Sequence, residues 1–147
     1  MRIMFDVAHH QSRKDALRDF KHGTLLDGFM SEDEVFAASV LVNLFDGGPR
    51  SKVSYRVNDG EYMPMRRVLT EDPYIVEQYQ RFEDVKKSWV QATKSTHMFV
   101  ANLDESIGRG THTLTVRAVD EFGRVHHGHT VLEIVGGMEG SEKGLRY

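Results

Sequence analysis

The sequence predicts an all-β fold, an antiparallel β-sandwich with one helical connection between its middle strands. Three observations carry that prediction. Apolar residues recur with period two along several short stretches, turn chemistry separates those stretches at regular spacing, and only one segment shows the apolar stripe of a helix.

Ile3, Phe5 and Val7 alternate with Arg2, Met4 and Asp6, the pattern of a half-buried strand. Periodicity is then lost from His9 to Glu34, where charges are scattered around Gly23 and Gly28, and residues 9–34 are expected to form a long mobile loop. Order returns with Val35 to Phe45, apolar on both faces as a central strand would be, and Asp46-Gly47-Gly48-Pro49 stops it. Val53, Tyr55 and Val57 alternate with Lys52, Ser54 and Arg56. Asp59-Gly60 tolerates the positive φ of a type I′ turn, and a two-residue loop there sets Val57 opposite Tyr62 and Tyr55 opposite Pro64. Proline cannot donate to a ladder, so the returning strand is expected to be an edge or to end there.

Asp72-Pro73 opens a helix expected over 72–90, with Asp as N-cap and Pro at the first helical position. Ile75, Tyr79, Phe82, Val85 and Trp89 form its apolar stripe. Thr96 to Leu103 reads as a strand, Asp104 to Gly110 as a loop, and Thr111 to Asp120 as a strand with Leu114, Val116 and Ala118 on one face. Glu121-Phe122-Gly123 is a three-residue turn with glycine at the left-handed position, and Arg124 to Val135 pairs back across it. The count is roughly six or seven strands in one domain over 1–135, followed by a flexible tail over 136–147 that has nothing to bury.

At 147 residues one compact domain is expected. The formal net charge of −3, with both signs interspersed, argues against a phosphate-backbone binder, which needs a basic face. The absence of cysteine excludes disulfides, thiolate zinc sites and cysteine nucleophiles. No apolar run reaches the roughly 18 residues of a membrane span, and Asp6 comes too early for a signal peptide.

Eight histidines are the natural place to look for chemistry. Pairing across the last hairpin sets Val119 opposite Val125, Ala118 opposite His126, Arg117 opposite His127 and Thr115 opposite His129. His127 and His129 then project from one face about 7 Å apart, a spacing that can chelate zinc. A site needs a third ligand, and Arg117 across the ladder would repel a dication, so polar residues on a solvated face are the plainer reading. His9, His10, His22, His97 and His112 each read as a satisfied or exposed histidine rather than a ligand. No serine lies in a nucleophile elbow, and no Gly-Lys-Ser/Thr run follows Asp46-Gly47-Gly48. Asp72, Asp104 and Asp120 sit at element boundaries, where caps and turns explain them. Tyr62, Phe122 and Trp89 could stack on a sugar, but Trp89 lies on the helix stripe, which leaves Tyr62 and Phe122 as binding candidates. No nucleophile, base and orienting group come together, and no catalytic residue is assigned.

With its strands placed, the chain resembles the C-terminal domain of calcineurin-like metallophosphoesterases from Met1 to about Val135. The likeness is densest where Val40-Leu41-Val42-Asn43-Leu44-Phe45-Asp46 leads to Pro49 and Val53. It continues through Asp59-Gly60-Glu61-Tyr62-Met63-Pro64-Met65, similar to the family's turn of Asp-Gly, an aromatic, two residues and Met. Asp72-Pro73-Tyr74 matches its Asp-Pro-Tyr, and Thr96-His97-Met98-Phe99 is similar to its Ser-His-aliphatic-Trp strand. Gly110-Thr111-His112 through Val116, Ala118, Asp120 and Gly123 resembles its closing hairpin. The resemblance implies an immunoglobulin-like sandwich that packs on a catalytic domain, shaping access to its metals or setting oligomer contacts.

The family's metal-ligand motifs are not matched. Asp6-Val7-Ala8-His9 is one residue too long for Asp-x-His, and Gly128-His129-Thr130-Val131 lacks the second histidine of Gly-His-x-His. The resemblance therefore places the dinuclear metal on a separate catalytic domain, with no cofactor in this chain and no catalytic residue to carry over. In the family, further strands precede the one that resembles Met1-Arg2-Ile3. Without them an open strand edge is expected, lowering stability and inviting a second copy to pair. An exported parent protein is also implied, and neither nucleic acid nor membrane is an expected partner. The alternatives are a carbohydrate- or surface-binding immunoglobulin-like module using Tyr62 and Phe122, and a small metal enzyme built on His126, His127 and His129.

Overall fold

A computed structural model describes residues 1–8, 23–45, 50–81 and 94–136. Its strands are β1 (Arg2–Val7), β2 (Thr24–Leu26), β3 (Phe29–Ser31), β4 (Ala38–Asn43), β5 (Lys52–Val57), β6 (Met63–Glu71), β7 (Lys94–Asn102), β8 (Gly110–Val119) and β9 (Val125–Val135). A 3₁₀ turn, Val35–Ala37, precedes β4, and one helix, α1 (Pro73–Arg81), joins β6 to β7. Among the described residues the fold is all-β with a single helical connection, and the strands number nine rather than six or seven.

All nine belong to one sheet in the order β2-β1-β4-β7-β6-β5-β8-β9-β3, antiparallel except where β3 runs parallel to β9. Strand β6 carries the sheet round. Its start, Met63 to Met65, pairs with β5, and its remainder, Arg66 to Glu71, pairs with β7 across a bulge between Val68 and Thr70. The two halves joined in this way enclose one core. Phe5, Val40, Val42 and Phe99 come from the first half, and Tyr55, Leu114, Val116, Leu132 and Ile134 from the second. The buried Tyr55 hydroxyl ties them by donating to the Asn102 carbonyl at 2.7 Å. Strands β2 and β3 are the two ends of the sheet, yet only Asp27 and Gly28 separate them in the chain, so the curl brings edge near edge.

β4 is the central strand that its two-sided apolar pattern predicts, with all six residues buried and Val40, Leu41 and Val42 fully so. Each such side chain contributes about 1.5–3 kcal/mol through burial. The strand starts at Ala38 rather than Val35, because Val35–Ala37 turns as 3₁₀ after Glu34.

Several expectations need correction. Part of the presumed 9–34 loop is ordered, since β2 and β3 lie within it; strands of three residues are too short to show a period. β1 is not an edge, because β2 pairs with it on one side and β4 on the other. Asp6 helps to hold β2 there. Its buried carboxylate accepts the Gly23 N–H through both oxygens, at 2.9 and 3.0 Å. Only glycine fits so close, since a Cβ at position 23 would lie 2.0 Å from the Val7 carbonyl oxygen.

The β5–β6 hairpin is one residue out of the expected register. Tyr55 faces Met63 and Ser54 faces Pro64, because the positive φ falls on Asn58 (53°) and the turn spans Asn58 to Gly60. The shift sends Met63 and Met65 to the core with Tyr55 and leaves Pro64 exposed. β6 is an interior strand, and the proline argument holds only locally: Pro64 pairs with β5, while the pairing with β7 begins at Arg66. The β8–β9 register matches the prediction at every pair, with Gly123 left-handed at φ 80°. Asp46-Gly47-Gly48-Pro49, His9, His10, His22, Phe82, Val85, Trp89 and the tail from 137 lie outside the described residues.

Candidate functional site

The residues of the Asn43 and Asp-Pro-Tyr motifs converge where β4 ends and α1 begins. Asp72 caps the helix, its Oδ1 accepting the Tyr74 backbone N–H at 2.8 Å. Its Oδ2 accepts the Asn43 side-chain amide at 2.7 Å and the Arg2 guanidinium at 3.2 Å. Arg2 also lies 4.0 Å above the Tyr74 ring. Asp72 and Pro73 are buried, so the carboxylate spends its acceptors on protein groups rather than water. The sequence marks Asn43, Asp72 and Pro73 but not Arg2, which meets them only because β1 pairs with β4.

At the opposite end of β5, His112 closes a second network. Its Nε2 donates to the Gly108 carbonyl at 2.7 Å, which assigns Nδ1 as acceptor from the Asn58 side-chain amide at 2.9 Å. Asn58 Oδ1 accepts the Thr113 N–H at 2.9 Å, and the Asn58 N–H donates to the Thr113 carbonyl at 2.7 Å. The Gly-x-His motif therefore pins the loop before β8 to the β5–β6 turn that holds Asp59 and Gly60. Asn58 was not singled out in the sequence, although asparagine just before Asp-Gly is a residue that tolerates positive φ.

Asp120 organises the β8–β9 turn. Its Oδ1 accepts the N–H groups of Phe122 and Arg124 at 2.9 Å each, and its Oδ2 accepts Arg124 Nε at 3.0 Å and His126 Nε2 at 3.1 Å. Desolvation pushes this carboxyl up, but the bonds from His126, the two backbone N–H groups and Arg124 outweigh it and bring the pKa from 3.8 to about 2. Beside the turn, Met1, Leu44, Phe45, Phe122, His126 and His127 help to line an open cleft of about 510 Å³.

Among the described residues the histidine and aromatic candidates form neither a metal-ligand cluster nor a shared aromatic platform. His127 and His129 share the outer face as predicted, His127 opposite Arg117 and His129 Nδ1 at 3.1 Å from the Thr115 hydroxyl. Among the described residues no three His, Cys, Asp or Glu side chains gather to hold a metal. His126 points to the other face and is engaged with Asp120. His97 is half-buried on β7, next to the core residues Met98 and Phe99. Tyr62 lies beneath Arg56, 5.0 Å from its ring centre, whereas Phe122 is 81% exposed at the far end of β5 and β8. The two rings form no common platform. Met65, Gly110 and Gly123 keep structural places: Met65 in the core, Gly110 and Gly123 at positive φ.

Similarity to known proteins bears on what these networks are. No curated protein and no solved structure matches the chain significantly. A family profile described as the C terminal of Calcineurin-like phosphoesterase matches residues 4–126, a span that contains Asn43, Asp72, His112 and Asp120 and every strand but the start of β1 and the greater part of β9. The chain belongs to this family of calcineurin-like phosphoesterase C-terminal domains.

Proposed function

We propose that this chain is the non-catalytic accessory domain of a calcineurin-like phosphoesterase, packing on the catalytic domain and shaping access to its metals or setting oligomer contacts. One observation supports the reading above others. The polar motif residues Asn43, Asp72, His112 and Asp120 are each spent on holding a helix end, a loop or a turn, which leaves them engaged with the fold rather than aimed at a substrate. Among the described residues no three His, Cys, Asp or Glu side chains gather. In this reading the metals reside on the catalytic domain.

The test compares a catalytic domain of the family, produced without its C-terminal partner, before and after this chain is added in trans. The expected result is a stable complex and a changed KM or substrate preference, with the metal content of the catalytic domain unaltered. Unchanged kinetics and no complex at high micromolar concentrations of both proteins would overturn the proposal.

A further inference from the structure

On the outer face of β5, β8 and β9 the register sets two rows of donors side by side. Ser54, Arg117 and His127 face one another across three strands, and Arg56, Thr115 and His129 do so in the next row. Arg117 is the centre of this grid. Ser54 and His127 are its direct neighbours, while Arg56 and His129 are diagonal ones, about 7–8 Å away and within reach of long side chains. Lys52 stands one row beyond, opposite Val119. The nearest acid on these rows is Glu133, two rows below Thr115 and opposite Thr111.

Three arginines elsewhere pair with carboxylates: Arg2 with Asp72 at 3.2 Å, Arg109 with Glu32 at 2.9 Å, and Arg124 with Asp120 at 3.0 Å. Among the described residues neither Arg56 nor Arg117 has such a partner. Arg56 is instead held down on the Tyr62 ring, its Nε shielded from solvent and without an acceptor. Thr115 is only 5% exposed on this outward row, and its hydroxyl is in contact with His129. Arg56 is thus pre-placed, and the exposed Arg117 guanidinium beside it presents its donor fork with no carboxylate opposite. A chain whose net charge is −3 nevertheless keeps two adjacent acid-free rows on this face.

We propose that this face is an oxyanion-binding site that takes a single phosphate group over Arg117, with Arg56, His127 and His129 around it. The fork of Arg117 suits two phosphate oxygens at once, and the flanking imidazoles and the Ser54 hydroxyl supply further donors. Binding without cleavage goes beyond the accessory role and does not depend on it, because neither the catalytic domain nor its metals take part.

The experiment is a titration of the whole chain with inorganic phosphate against a chloride background of constant ionic strength, followed by amide NMR shifts. Saturable shifts confined to β5, β8 and β9 are expected, with a dissociation constant on the order of 1 mM. Arg117→Ala should weaken binding by at least about tenfold, and Arg117→Gln, which keeps the stem, does the same if the alanine variant fails to fold. Arg109→Ala, whose guanidinium is paired with Glu32 away from the grid, should leave binding unchanged. Two more arms separate the sources of phosphate: glycerol 3-phosphate, and vesicles containing phosphatidic acid. Saturation by both soluble phosphates supports a single-phosphate site. No saturation, binding that survives Arg117→Gln, or capture by vesicles alone would overturn it.

Discussion

At the junction of β4 and α1 the Asp72 carboxylate takes hydrogen bonds from Tyr74, Asn43 and Arg2, whereas on the outer face of β5, β8 and β9 the guanidinium groups of Arg56 and Arg117 meet no carboxylate among the described residues. The difference follows from solvent. Asp72 is 5% exposed, so every donor aimed at it loses its partner when it is removed, and a buried polar network fails as a unit. Arg117 is exposed, and water satisfies it in the folded and unfolded states alike. One region therefore sets stability, and the other is free to serve a ligand.

The comparison can be broken at either end. The largest loss is expected for Asp72→Ala, which removes the helix cap and orphans Asn43 and the Arg2 guanidinium together. About 3–4 kcal/mol should disappear from the denaturant-unfolding free energy. A loss below about 1 kcal/mol would mean that the junction does not bear on stability.

Gly23→Ala should come next, at about 2 kcal/mol, because its Cβ must displace the Val7 carbonyl and loosen β2 from β1. Gly123→Ala forces an alanine to φ 80° and should cost about 1 kcal/mol in a thermal melt. Arg117→Gln should change stability by no more than about 0.5 kcal/mol, while phosphate binding falls as described above. A marked loss of stability there would erase the contrast between the two regions.

The acid limb of stability offers a finer test. The Asp120 carboxyl is more acidic in the folded chain, at about 2, than its ordinary 3.8, so between those values the unfolded chain binds more protons. Its contribution is present above the ordinary value and is lost as the pH falls through about 2. Asp120→Asn should flatten that part of a stability–pH curve and leave the curve's shape at neutral pH unaltered.

Local chemistry explains what could be read in advance. The β8–β9 register follows from one turn, because Gly123 is the residue there that takes a left-handed conformation freely. In the β5–β6 hairpin Asn58 competes with Gly60 for the positive φ, and its two bonds to Thr113 decide the matter. That bond set depends on β5 lying beside β8, a contact between residues 55 positions apart. The same non-local pairing hid the cationic face. The last hairpin alone puts Arg117 opposite His127, but Arg56 joins them only through β5–β8 pairing. Composition pointed away from any basic face, since a balanced total says nothing of where the signs gather. The motif residues Asn43 and Asp72 were legible as types, and their meeting through Asp72 Oδ2 was not, being 29 positions apart in the chain.

At the centre stands the proposal that the family's polar motif residues here build a fold and do not catalyse. The direct measurement is hydrolysis of bis(p-nitrophenyl) phosphate by the purified chain with Mn²⁺ or Zn²⁺, run beside Asp72→Asn and Asp120→Asn. No rate above the metal-only blank is expected for any of the three. A rate above the blank in the parent chain, abolished in either variant while both stay folded, would contradict it.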